Sequence, residues 1–339
     1  MFNRLALTVT LLAATTAHAQ SRTPLNDLGS TSYLGQFQGG LYENGSNVMP
    51  FDHRADGRVH ASRIRPRNAL GNPATNGKIV MISLGMSAPS QAFCAEMNPA
   101  PCETWSFMGQ AASDPAVNHS TLVLVNGARA QQNAETWLTP ESQNYDYLRF
   151  FDLTPAGVTE AQVQVAWVKL ANSGPSIALP AQDAEAYRLL GQMGNVIRSM
   201  KARYKNLQIV YISSRSYAGY ANIALNPEPY AYEYGFSVKW LVQAQINQRR
   251  TGQIDSRAGD LDPATVAPWI AWGPYFWADG LNPRSDGLTW TRADFENDGT
   301  HPSKSGEEKE ASMMLSFFKQ DPTATPWFLP PSRRRSVLH

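Results

Sequence analysis

Four short runs interrupt the mixed texture of the chain with nearly unbroken apolar sequence: residues 78–84, 121–125, 163–168 and 207–212. Each is continuous rather than alternating, which is the pattern of a strand covered on both faces. Between the last two, residues 181–204 bring Leu189, Leu190, Met193, Ile197 and Met200 round at helical spacing. Residues 236–248 and 307–318 read as two further helices, the second opened by Pro302-Ser303. Buried strands alternating with helices predict an α/β fold, a central parallel sheet with helices on both faces in three layers. Residues 271–277 fit either a strand or the lining of a cleft. Residues 20–77 are rich in Gly, Asn, Pro and Ser with little periodicity, and are expected to wrap the main domain. The expected division is a leader over 1–19, a wrapping segment over 20–77, the main domain over 78–322 and a flexible tail over 323–339. No internal repeat or low-complexity segment is visible.

Apolar residues make up 42% of the 339 positions and charged residues 17%, enough to build a large core. The start of the chain changes the picture more. Arg4, an apolar stretch over 5–14 and the small-x-small triplet Ala17-His18-Ala19 form the three parts of a cleavable export signal, with cleavage expected after Ala19. Gln20 follows rather than cysteine, so a lipoprotein anchor is not indicated. The expected location is secreted or periplasmic. Removing the leader takes away Arg4 and no acid, so the 29 basic residues fall to 28 against 28 acidic ones. That balance offers no footprint for nucleic acid or an anionic membrane. No later stretch reaches the ~18 apolar residues of a membrane span. The arginines at 333–335 read as a solvated end. Cys94 and Cys102 are the two cysteines; in an oxidising compartment a disulfide is the favoured reading, and two ligands make a poor metal site.

In open α/β sheets ligands bind beyond the carboxyl ends of the strands, so the residues just after each run carry the search for chemistry. Ser87 follows the first run inside Gly85-Met86-Ser87-Ala88-Pro89. A serine hydroxyl needs a base to take its proton and donors for the oxyanion it creates; the alternative role is an ordinary helix cap. The base is supplied by Asp298-Gly299-Thr300-His301, where a carboxylate three positions before a histidine can reach the Nδ1 side of the ring and leave Nε2 for the serine. His53, His60, His119 and His339 have no Asp at that spacing.

These blocks resemble those of the SGNH (GDSL-like) hydrolases, which place a serine after the first strand and a late Asp-x-x-His, commonly continued as Pro-Ser. Asp298-Gly-Thr-His301-Pro-Ser with Gly306 matches the late block, and Gly85-Met86-Ser87 matches the first with Met where Asp is usual. The resemblance spans residues 78 to 320. It implies a flavodoxin-like three-layer α/β/α fold and an oxyanion hole made by the amide of Ser87, Gly127 after the second strand and Asn172 after the third. The usual Gly-x-Asn-Asp reads Leu170-Ala171-Asn172-Ser173 here. Without the resemblance, Asn172 and Gly127 are ordinary turn residues.

A last cluster runs from Arg215 and Tyr217 through Glu228 to Trp272, Tyr275, Trp277 and Trp290. Arg215, Tyr217 and Trp277 are candidate substrate contacts in an aromatic rim. The competing reading is core packing for the aromatics and an Arg215–Glu228 ion pair. The expected function is that of an exported serine esterase needing no metal or cofactor, its substrate an ester, with acetylated polysaccharide favoured. The rival is a carbohydrate-binding protein that kept the fold and lost the reaction. An α/β-hydrolase is a third reading, but its Gly-x-Ser-x-Gly elbow would require glycine where Pro89 stands.

Overall fold

The computed structural model describes residues 22–95 and 101–330; the leader and the arginine run at 333–335 lie outside them. All four apolar runs are strands: β1 (Ile79–Gly85), β2 (Leu122–Asn126), β3 (Val163–Lys169) and β4 (Ile209–Ile212). The undecided aromatic stretch contributes β5 at Trp269–Trp272, and the chain beyond it leaves the sheet. The five strands pair in parallel in the order β2-β1-β3-β4-β5.

Successive side chains along each strand face opposite layers. Val80, Ile82, Ala166, Val168, Val210 and Ile212 pack beneath α4 (Glu185–Arg203) and α5 (Tyr230–Thr251). Met81, Val165, Trp167, Ile209, Tyr211 and Trp269 face the other layer. That layer is built from α1 (Phe51–Arg63), α2 (Ser87–Phe93), α3 (Phe107–Ser113) and α6 (Lys304–Gln320). Two complete cores therefore explain why the strands read as unbroken apolar runs.

The chain moves from β1 outward to β2 and then crosses back to β3, so the order reverses between β1 and β3. Such a switch point opens a crevice above the carboxyl edge of the sheet, and Ser87 stands directly at it.

Two expectations at the chain ends need correction. Residues 22–77 do not merely wrap the domain: they include the thirteen-residue α1, which packs on β5. Its Gly57 lies so close to Trp269 that a Cβ there would sit 2.5 Å from the indole. His53 Nε2 is 2.9 Å from the Ile270 carbonyl, and Trp269 Nε1 donates to the His53 carbonyl at 3.1 Å. Residues 323–330 are not a loose tail, because Trp327 and Phe328 fill the core beside α6. No helix among the described residues is long and apolar enough to cross a membrane.

Candidate active site

Gly85 ends β1 where no side chain fits: a Cβ would meet Pro89 Cγ at 2.4 Å and the Lys169 carbonyl at 2.7 Å. The chain turns at Met86, and Ser87 opens α2. Its hydroxyl donates to His301 Nε2 at 2.7 Å, and His301 Nδ1 lies 2.5 Å from Asp298 Oδ2. The expected serine, histidine and aspartate are thus brought together in one line, across 214 positions of sequence.

The Asp298–His301 turn is held from several sides. Asp298 Oδ1 accepts the amides of Thr300 (2.9 Å) and His301 (3.0 Å). Gly299 has φ +66°, and a Cβ on it would lie 1.9 Å from the Tyr220 carbonyl oxygen, so only glycine lets the turn press against that loop. From the same loop Asn222 donates its amide to the Asp298 carbonyl at 3.0 Å. Burial alone would raise the Asp298 pKa. Hydrogen bonds from the His301 ring and from the His301 and Thr300 amides outweigh it and hold the carboxyl below the ordinary aspartate value. Asp298 therefore stays ionised, which fixes the ring proton on Nδ1 and leaves Nε2 to accept from Ser87.

The oxyanion side departs from expectation in part. Gly127 does not offer its amide to the crevice. That N–H donates to Ser83 Oγ at 3.2 Å, and the missing side chain makes room for Leu148, whose Cδ1 would lie 2.2 Å from a Cβ. Ser87 sits in the first turn of α2, where amides lack intrahelical acceptors. Asn172 is buried just beyond β3, next to the strand that leads to Ser87, since Lys169 pairs in register with Gly85. Its Nδ2 has one long contact, 3.5 Å to Glu185 Oε2, and its Oδ1 is buried without a partner among the described residues.

The aromatic rim is also corrected. Trp277 is wholly buried and its indole N–H donates to Glu228 Oε1 at 2.7 Å, so it presents no face to a ligand. Trp272, Tyr275 and Trp290 are buried as well. Tyr217 remains partly exposed, edge-on to Tyr220 at 5.2 Å. The partly exposed aromatics Phe37, Tyr187 and Trp240 line a groove of about 470 Å³ that none of the triad residues borders. Arg215 does not pair with Glu228, whose carboxylate accepts from the Ala218 and Tyr232 amides and from Trp277.

Sequence reasoning missed a buried ion pair beneath the crevice. Lys169, the last residue of β3, binds both oxygens of Glu310 on α6 at 2.5 and 2.6 Å. Burial, opposed by Glu310, brings the lysine pKa down to about 8. A lysine closing an apolar run, together with a glutamate on the inward face of the last helix, was the available signal. Cys94 and Cys102 are joined, with Cα atoms 5.0 Å apart.

No family model matches the chain, and no curated protein is similar to it. Among solved structures it is similar to a protein from Parabacteroides merdae described as a GDSL-like lipase, at 12% identity and TM-score 0.41, over 77% of this chain and 99% of that one. It is also similar to a salicylyl-acyltransferase of a tetracycline biosynthetic pathway, at 12% identity and TM-score 0.35, over 74% of this chain and 58% of that one. Likenesses this distant leave the geometry of the site to carry the function.

Proposed function

We propose that the chain is an exported serine hydrolase of the SGNH (GDSL-like) type that cleaves carboxylic esters. The observation that carries this reading is the unbroken Ser87–His301–Asp298 line, at 2.7 and 2.5 Å, on the carboxyl edge of the sheet at its switch point. In the proposed reaction Ser87 Oγ attacks the ester carbonyl while its proton passes to His301 Nε2. Asp298 stabilises the resulting imidazolium. The carbonyl π electrons move to oxygen, and the oxyanion is met by the Ser87 amide and the Asn172 side chain. Collapse expels the alkoxide, which takes the proton from Nε2, and leaves an acyl-serine. Water, deprotonated by the same nitrogen, then releases the acid and restores the hydroxyl.

Asn172 would have to turn its amide away from Glu185, a small change for a contact of 3.5 Å. A protein that had lost the reaction would have no use for a serine aligned on a histidine whose tautomer is fixed by an ionised aspartate.

For the substrate we favour an O-acetyl group on a polysaccharide. Export would put the enzyme among such polymers, and Tyr217 and Tyr220 supply the partly exposed rings near the Asp298 turn. The test compares acetate release from acetylated xylan or pectin with fatty-acid release from long-chain esters, using Ser87→Ala as the blank. Short acyl groups should be cleaved faster. A preference for chains of eight or more carbons would reject the polysaccharide and keep the serine mechanism, and activity surviving in Ser87→Ala would reject both.

A further inference from the structure

Arg215, three residues beyond β4, makes no hydrogen bond or ion pair among the described residues. It is 4% exposed, and its Nε is buried without a hydrogen bond. Among the described residues no acceptor or carboxylate reaches its terminal nitrogens either. A buried guanidinium left without hydrogen bonds is costly, and its planar fork fits a carboxylate at two points.

The groups whose charge bears on it are Glu310, Tyr234, Glu228 and Asp298, with Lys169 as a like charge. Every acid among them is committed elsewhere. Glu310 gives both oxygens to Lys169. Asp298 serves His301 and two backbone amides. Glu228 takes two amides and the Trp277 indole, and burial pushes its carboxyl toward the neutral form. Arg215 is the cation left over. Val168 pairs in register with Ile212 and the Ser213 amide donates to the Val168 carbonyl at 2.9 Å, so Arg215 and Asn172 leave the carboxyl edge from adjacent strand ends, which puts Arg215 on the oxyanion side of the crevice. Beside it, the Ser214 hydroxyl and Asn172 Oδ1 are likewise buried without partners among the described residues.

We propose that Arg215 is the anchor for a carboxylate carried by the substrate, so that the preferred ester bears one carboxylate that seats on the guanidinium while its carbonyl meets Ser87; on an acetylated polysaccharide this is a uronic acid beside the acetylated position. The inference rests on the reading of Ser87 as an esterase nucleophile and narrows its substrate class. The even charge balance of the exported chain is compatible with it, because one buried cation reads a single carboxylate.

Two matched pairs of esters test it. In the first the carboxylate is on the acyl side: 4-nitrophenyl hemisuccinate against its methyl ester. In the second it is on the alcohol side: 4-acetoxybenzoate against methyl 4-acetoxybenzoate. The readout is the ratio of kcat/KM, anionic over neutral, in wild type, Arg215→Lys and Arg215→Gln. In one pair wild type should favour the anion roughly 10- to 100-fold, the scale of a charge-assisted hydrogen bond. Arg215→Gln should collapse that ratio to near one, and Arg215→Lys, with charge but no fork, should fall between. The lysine variant keeps the test alive if the glutamine variant does not fold. Equal ratios in wild type and variants, or a wild-type preference for the neutral ester in both pairs, would overturn the proposal and leave the esterase standing. If no ester is turned over, the esterase reading fails by itself. Calorimetry with the non-hydrolysable 4-nitroanilide of succinic acid and with 4-acetamidobenzoate then decides the anion site. Binding to wild type that Arg215→Gln abolishes supports it, and no binding of either to wild type overturns it.

Discussion

The two sides of the crevice are built differently. On the α6 side Ser87, His301 and Asp298 are joined to one another, and the aspartate's second oxygen is held by two amides. On the β3–β4 side Asn172, Ser214 and Arg215 each bury a polar atom that no described residue satisfies. The first arrangement fixes the orientation of reacting groups before any substrate arrives, which is where preorganisation lowers a barrier. The second leaves groups with hydrogen bonds still to make, which the proposal assigns to a ligand. The contrast separates proposed chemistry from proposed recognition, and substitutions on the two sides should fail in different ways.

The largest effect is expected on the joined side. Ser87→Ala and His301→Ala should each lower kcat by about 10⁴-fold or more, and the double variant should lose little beyond either alone, because nucleophile and base act as one unit. Steady-state kinetics of the three proteins checks this, and multiplicative losses would break the pairing. Next comes the support beneath both sides. Lys169→Ala strands Glu310 in the core and should cost about 3–5 kcal/mol in urea denaturation. Replacing both partners, Lys169→Met with Glu310→Leu, should recover most of it. A single variant as stable as wild type would mean that the pair does not hold the layer together.

Asn172→Ala tests the open side. It should lower kcat by roughly 10²–10³-fold with KM nearly unchanged, the signature of a donor used in the transition state. A normal kcat would remove Asn172 from the site. The smallest effect is expected from Gly299→Ala. A side chain at φ +66° and 1.9 Å from the Tyr220 carbonyl must shift the turn, costing about 1–3 kcal/mol of stability. A fall in kcat/KM should accompany it, since His301 moves with the turn. Thermal melts and kinetics on the same sample show whether the two losses travel together.

The sequence was most informative where one physical cause dominated. Strands covered on both faces must be apolar throughout, so β1 to β4 could be read directly. The Asp298–His301 pair was legible because a carboxylate and an imidazole three positions apart fit within one turn. Helix α1 was not legible: its buried face is His53, Gly57, His60 and Ala61, chosen to fit against Trp269 rather than to carry hydrophobicity. The tryptophans between Tyr217 and Trp290 suggested a ligand surface because composition does not distinguish a ring that stacks on a sugar from one that fills a core. Gly127 had two possible uses, an exposed amide or a missing side chain, and packing against Leu148 decided for the second. Lys169 and Glu310 lie 141 positions apart, and no local pattern couples them.

The most direct test of the central claim is labelling with a fluorophosphonate, which reacts with a serine only when a neighbouring base activates it. The protein is treated at neutral pH, digested and mapped by mass spectrometry, alongside His301→Ala. The account predicts one adduct per chain, on the peptide containing Ser87, and a strong loss of labelling rate in His301→Ala. No adduct on Ser87 in folded wild-type protein, or equal labelling with and without His301, would contradict it.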